Sequence, residues 1–139
     1  RLDTLQAAIL LAKFEIFSEE IERRQDIATK YTELLTQNST LKTQHVPEGY
    51  TSAWAQYSIL SEGSTRAALM EKLKMAGIPT AIYYPKPLHL QTAFSSLGYK
   101  KGDFPISEDI ADRIFSLPMH PYLAEGEQIK IAEVIGEGL

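Results

Sequence analysis

The chain has 139 residues, 44% of them apolar and 23% charged, a balance too apolar for disorder and a length suited to one domain with a real core, hardly two. Fourteen Lys and Arg against eighteen Asp and Glu leave a net charge of −4; with no basic excess or basic run, the chain lacks the electrostatic footprint of a nucleic-acid or anionic-membrane binder. The absence of Cys excludes a disulfide framework, an iron–sulfur cluster and Cys-ligated zinc, and no apolar run approaches the roughly 18 residues of a membrane span, so the sequence reads as a soluble, cytoplasmic chain.

Asp3, followed three residues later by Gln6, predicts a helix N-cap with a capping box. From Thr4 to about Gln37 there is neither Pro nor Gly, which predicts one long helix with an irregularity near Ser18. Its first half is apolar almost all round: between Leu5 and Phe17 only Gln6, Lys13 and Glu15 interrupt. Such a surface requires cover on most sides. After Phe17 the pattern turns amphipathic, with Ile21, Ile27, Tyr31, Leu34 and Leu35 among charges. Asn38 to Tyr50 reads as a polar connector. Trp54 to Leu60 has the aromatic and β-branched content of a strand, with Ala55, Tyr57 and Ile59 on one face.

Thr65 to Ala76 reads as a helix turning Ala68, Leu69 and Leu73 inward and stopped by Gly77, and Ile78 to Tyr83 as a returning strand. The stiff segment Tyr84-Pro85-Lys86-Pro87-Leu88-His89 follows, its prolines fixing φ and holding the preceding residues extended. A short helical piece near Gln91 to Leu97, a turn over Gly98 to Gly102, a helix over Ser107 to Phe115, an extended stretch Ser116 to Met119 and a terminal helix from about Ala124 complete the chain. The fold class expected is α/β: a long N-terminal helix and a small mixed or antiparallel sheet of about three strands with packed helices.

None of the eight glycines forms a G-x-G-x-x-G or P-loop motif. His45, His89 and His120 lack metal-ligand spacing, so no metal is expected. The scattered carboxylates read as solvated helix faces. His89 and His120 differ from His45 because each sits in a Pro-containing loop, where rigid polar groups build binding sites. Tyr83-Tyr84-Pro85-Lys86-Pro87-Leu88-His89 is the richest segment: two phenols, an ammonium and an imidazole suit an anionic or hydroxyl-rich ligand such as a pyrophosphate or a sugar. Strand alternation offers the other reading, one Tyr toward the core and one toward solvent. Lys86 sits on a proline-flanked loop with nothing beside it to lower its pKa, which argues against a Schiff-base role.

Five stretches, in order and spacing, carry a family resemblance. They are Arg1 to Leu10 (RLDTLQAAIL), Tyr50 to Tyr57 (YTSAWAQY), Gly77 to His89 (GIPTAIYYPKPLH), Gly102 to Pro105 (GDFP) and Ser116 to Leu123 (SLPMHPYL). Together they cover the chain from end to end, and it resembles the DegT/DnrJ/StrS family, nucleotide-sugar aminotransferases that depend on pyridoxal 5′-phosphate and share the aspartate aminotransferase fold. It is most similar to members that aminate a UDP-linked 3-keto-N-acetylhexosamine uronate for surface polysaccharide.

The resemblance implies the small C-terminal domain of fold-type I transferases: residues 1–37 as an interdomain and interface helix, residues 38–139 as the small α/β domain. The large domain, with the Schiff-base lysine and the other cofactor contacts, is not matched in this sequence. Consistent with that, the sequence opens at Arg1 rather than Met, as expected of roughly the last third of a longer enzyme. The implied reaction is ping-pong transfer of an amino group from glutamate to a keto nucleotide sugar within a homodimer whose active sites use both chains. Carried over by motif, Arg1, Tyr83 and Tyr84 reach the substrate of the adjoining subunit, and His89 ends the same loop. Tyr83 stands where some relatives have His, which keeps a hydrogen-bond donor and alters its reach and charge. For His120 a substrate contact and a structural turn stand side by side. No catalytic residue, no cofactor contact and no bound cofactor are expected within these residues, which alone would be inactive. A non-catalytic small-molecule or protein-interaction module, and a dehydratase relative, are the competing readings.

Overall fold

The computed structural model describes residues 2–62 and 65–137. Helix α1 (Thr4–Phe14) starts at Asp3, whose carboxylate accepts the Leu5 N–H at 2.8 Å. The long helix expected from Thr4 is two helices, because α2 (Phe17–Leu35) starts afresh after Ile16. There the Ile16 N–H reaches back only three residues, to the Lys13 carbonyl at 3.2 Å, and the rings of Phe14 and Phe17 stack across the break at 5.6 Å. The break falls two residues before Ser18 and involves neither Pro nor Gly, so composition does not mark it.

No residue of α1 is buried. In α2 the buried stripe is Ile27, Ala28, Tyr31 and Leu35, the one- and four-residue spacing of a helix face against a core. That face meets a three-stranded antiparallel sheet in the order β1 (Leu41–Lys42), β2 (Tyr57–Ser61), β3 (Ile114–Leu117). Leu41 pairs with Ser61, and Ser58, Ile59 and Leu60 pair with Ser116, Phe115 and Ile114. Helix α3 (Arg66–Met75) and helix α5 (Glu125–Gly136) complete the core, with Leu69, Leu73, Ile131 and Ile135 buried. Gln128 of α5, itself buried, donates to the Ile27 carbonyl at 2.9 Å and locks α5 to α2. Among the described residues no helix is long and apolar enough to cross a membrane.

Four expectations change, each for a local reason. The strand expected from Trp54 begins at Tyr57 because Trp54 has φ of +46°; the left-handed residue breaks the extension and turns its own ring inward, leaving Ala55 exposed. Ile78 to Tyr83 is not a strand: it contributes one bridge, Ala81 to Ser116, since Pro79 has no N–H to extend the ladder. Helix α4 (Pro105–Arg113) starts at proline and ends two residues early, because Ile114 and Phe115 belong to β3, where Phe115 is buried opposite Ile59. Ala68 is exposed, and the inward stripe of α3 is Leu69 and Leu73 alone. The connector after Asn38 also holds the short strand β1.

Gly77 closes α3 as expected. At φ +77° its N–H donates to the Lys74 carbonyl at 3.0 Å and the Ile78 N–H to the Leu73 carbonyl at 2.9 Å, a Schellman closure with Leu73 and Ile78 both buried. A Cβ at Gly77 would meet nothing within 4 Å, so any cost of a side chain there comes from the backbone alone. Tyr31 and Tyr57 pack at 4.9 Å between centroids, and the Tyr31 hydroxyl donates to the Pro118 carbonyl at 3.0 Å. Burial pushes both phenols above their ordinary value of 10.0.

Two substitutions test this account by chemical denaturation. Gly77→Ala is expected to cost about 1–2 kcal/mol for a left-handed residue carrying Cβ. Tyr31→Phe is expected to cost about 1 kcal/mol for loss of the part-buried hydrogen bond to the Pro118 carbonyl. A neutral result for either contradicts the assigned role.

Candidate functional site

The Tyr83–His89 loop leaves the outer edge of β3 at Ala81, whose N–H and C=O exchange bonds with Ser116 at 3.1 and 2.8 Å. Pro87 then enters a 3₁₀ turn over Leu88–Leu90, where the Leu90 N–H bonds the Pro87 carbonyl at 3.0 Å. Gln91 Nε2 donates to the Lys86 carbonyl at 3.4 Å. Between these anchors Tyr83 and Tyr84 are 55% and 66% exposed. Both phenols therefore face outward. Strand alternation does not apply, because the segment is not a strand.

Tyr83 borders a depression of about 200 Å³ walled by Gln56 and Ala55 on one side and Leu117, Pro118 and Met119 on the other. The half-buried guanidinium of Arg24 ties these walls from behind, donating to the Trp54 carbonyl at 2.9 Å and, at the long limit of 3.5 Å, to that of Met119. The left-handed backbone at Trp54 is costly for a residue with Cβ. Its surroundings fix it: the backbone N–H donates to Ser52 Oγ at 3.2 Å and the indole N–H to Gln25 Oε1 at 2.8 Å. Neither Arg24 nor Trp54 is singled out by the sequence reading, since one passes for a solvated helix charge and the other for the first residue of a strand.

His89, at the far end of the loop, does not open onto this depression. Its side chain is 7% exposed, and Nε2 lies 3.0 Å from Oε1 of Glu108, itself 12% exposed. The Phe104 ring packs on the imidazole at 4.8 Å, and Tyr99 meets Phe104 edge-on at 5.1 Å. Glu108 also accepts the Gly102 N–H at 2.8 and 3.0 Å and the Phe104 N–H at 3.4 Å. The Gly102 N–H above all, then His89 and the Phe104 N–H, hold the carboxyl below its ordinary value of 4.5 against the opposing effect of burial. The sequence reading missed Glu108 by counting it among solvated carboxylates; the available signal was its place in the first turn after Pro105, where the helix dipole favours an anion.

His120 is exposed, and its Nδ1 accepts the Tyr122 N–H at 3.3 Å. It lines a second depression, about 220 Å³, with Leu123, Glu127 and Lys130. The two depressions abut at Pro79 and Pro118, which line both. The structure thus leaves Tyr83 and Tyr84 exposed side by side, His89 buried on Glu108 at the end of their loop, and His120 on a different depression from Tyr83. Arg1 lies outside the described residues. Among the described residues no three His, Asp or Glu side chains gather where a metal ion could sit.

A family profile described as the DegT/DnrJ/EryC1/StrS aminotransferase family matches residues 1–136. The chain belongs to this family. It is 43% identical over 123 residues to the UDP-2-acetamido-2-deoxy-3-oxo-D-glucuronate aminotransferase of Pseudomonas aeruginosa, covering 88% of this chain and 33% of that protein. To a pleiotropic regulatory protein of Geobacillus stearothermophilus it is 42% identical, over 99% of this chain and 37% of the relative. Among solved structures, a DegT DnrJ EryC1 StrS aminotransferase from Brucella abortus matches with a TM-score of 0.87 at 51% identity, over 97% of this chain and 35% of that one. DesV of S. venezuelae, in complex with a ketimine intermediate, matches with a TM-score of 0.90 at 25% identity, over 97% and 36%. The chain spans about a third of the length of these relatives. The antiparallel sheet with packed helices is thus a part of the aminotransferase fold, as the resemblance implied.

The described residues of this DegT/DnrJ/EryC1/StrS family member do not form a site that fits pyridoxal phosphate, which requires an amine at an enclosed cavity and donors cupping a phosphate. Lys86 is exposed on its loop. Lys72 Nζ is buried without a hydrogen-bond partner, yet Lys72 lines neither the Tyr83 nor the His120 depression, and Lys130, which lines the latter, spends its ammonium on the Ala76 carbonyl at 3.2 Å.

The Glu108 cluster has a definite pH signature. A carboxyl held below 4.5 in the folded state contributes stability that is present above the unfolded value and lost as pH falls through the folded one. Glu108→Gln is therefore expected to lower the denaturation midpoint near neutral pH, with the gap to the parent chain closing in the acid range. Denaturant titrations from about pH 7 to about pH 3 measure it, and a gap independent of pH contradicts the assignment.

Proposed function

We propose that this chain is the small-domain portion of a sugar aminotransferase, one that uses pyridoxal phosphate to move an amino group from glutamate to a keto nucleotide sugar destined for surface polysaccharide. The observation that carries the reading is the 43% identity over 123 residues to an enzyme named for amination of a UDP-linked 3-oxo sugar. The geometry supports it. Two phenols are held outward on a doubly anchored loop beside a depression, an arrangement suited to phosphate oxygens and sugar hydroxyls. Helix α1 carries Leu5, Ile9, Leu11 and Phe14 uncovered, an apolar surface of the kind that meets another domain or subunit.

In this reading the enzyme is a cytoplasmic homodimer. Arg1, Tyr83 and Tyr84 face the substrate of the adjoining subunit, His89 closes their loop, and His120 has a secondary place. The cofactor and the reactive lysine belong to the large domain. The contribution of these residues is to bind and orient the sugar nucleotide and to exclude water as the site closes. In this reading they are inactive alone, because the reactive lysine lies in the large domain.

The assay is release of 2-oxoglutarate from glutamate, coupled to a dehydrogenase, with a UDP-linked 3-keto sugar as acceptor. The complete enzyme is expected to turn over, and the 139-residue chain is not. Replacing Tyr83 and Tyr84 by Phe together is expected to raise the KM for the sugar nucleotide about tenfold, the loss of one to two hydrogen bonds. A complete enzyme that releases no 2-oxoglutarate with any keto sugar nucleotide overturns the reading.

A further inference from the structure

The shape of the tyrosine loop is fixed at its ends. Among the described residues, no backbone N–H from Ile82 to Lys86 donates to a backbone carbonyl. What holds the loop is two proline rings, the Ala81–Ser116 bridge at its start and, at its finish, the Leu88–Leu90 turn, the Gln91 bond to the Lys86 carbonyl and the His89 side chain. The upstream anchor is part of the sheet. Of the downstream anchors, the side chain that ties the loop to another element is His89, and it depends on one carboxylate.

Glu108 joins two separate pieces of chain to α4. Its oxygens accept from the Gly102 N–H and the Phe104 N–H of the turn before α4, and from His89 Nε2 at the end of the loop. A carboxylate only accepts, so Nε2 carries the proton that it shares with Glu108. The Phe104 ring packs at a tilt against that imidazole and Tyr99 meets Phe104 edge-on, which shields the bond from water and strengthens it. Glu108 itself is set by the first turn of α4. The route from helix to loop is therefore short: α4, Glu108, His89, then Leu88 and Pro87 back to Tyr84.

We propose that Glu108 is a positioning residue for substrate binding, acting through His89 to hold Tyr83 and Tyr84 where a sugar nucleotide meets them. The inference rests on the sugar-aminotransferase reading for its substrate and on the structure for its mechanics. Glu108 touches no ligand. Its effect is to keep a two-tyrosine surface preorganised, so that binding does not have to order the loop.

The test uses Glu108→Ala, Glu108→Gln, His89→Ala and His89→Gln. Glutamine at 89 places an amide N–H close to the position of Nε2 and serves as the conservative rescue. In the 139-residue chain, amide relaxation at Tyr83 and Tyr84 reads loop order directly. In the complete enzyme, the two half-reactions are measured separately. Glu108→Ala and His89→Ala are expected to loosen the two tyrosine amides and to raise the KM for the sugar nucleotide about tenfold, with kcat and the KM for glutamate within about twofold of the parent. His89→Gln is expected to recover most of both effects.

Equal damage to the glutamate and sugar half-reactions overturns the proposal, because a merely structural residue does that. So does an unchanged sugar KM once the loop is loosened, an outcome that leaves the aminotransferase reading standing. If Glu108→Ala does not fold, Glu108→Gln and the His89 pair decide by the same measures. A parent enzyme that aminates no sugar nucleotide overturns the reading and the proposal with it, and the relaxation data then report the loop mechanics alone.

Discussion

Ser116 is the residue through which both edges of β3 are used. Its backbone N–H and C=O point to Ala81 and exchange both bonds with it, at 2.8 and 3.1 Å. Its other edge faces Ser58, the register partner on β2, with the two hydroxyls 2.8 Å apart. In an antiparallel ladder a residue whose peptide groups face one neighbour makes a close, side-chain-mediated pair with the other. Ser116 is buried, and the two hydroxyls satisfy each other there. The start of the tyrosine loop, the wall formed by Leu117 to Met119 and the beginning of β2 all meet at this residue.

The core was legible in the sequence wherever a single periodicity governed. The buried stripe of α2, the Leu69 and Leu73 face of α3, the stop at Gly77 and the start of α5 follow from spacing and from cap chemistry. What was not legible depended on long-range partners. Ile114 and Phe115 have no local reason to leave a helix; they leave it because β2 offers Ile59 and Leu60 as pairs. Trp54 turns left-handed because Gln25, Ser52 and Arg24 hold it, and no neighbour in the sequence announces that. The break at Ile16 is equally silent, since helix formers flank it on both sides.

The candidate site divides along the same line. Tyr83 and Tyr84 stood out by residue type and by the prolines that stiffen their loop, and the structure leaves both phenols accessible. His89 stood out for the same reasons, yet its geometry shows a buried partner, Glu108, that reading by type had passed over as one solvated carboxylate among many. The distinction is one of context. A phenol on a rigid loop needs only its neighbours in sequence to be noticed, whereas a carboxylate becomes distinctive only when the fold brings two backbone amides and an imidazole to it. Arg24 belongs to the second kind, joining two carbonyls that are 65 positions apart (Trp54 and Met119).

The uncovered helix α1 has a thermodynamic consequence of its own. Eleven residues with no buried side chain receive almost nothing from the core. A helix of that length is marginal in water on backbone hydrogen bonds alone, because nucleation costs more than a few turns return. Its capped start at Asp3 offsets only part of that cost. The helicity of residues 4–14 is thus coupled to whatever covers their apolar face. Their amides act as a built-in gauge of assembly, exchanging readily with solvent hydrogen when the face is bare and slowly when it is occupied.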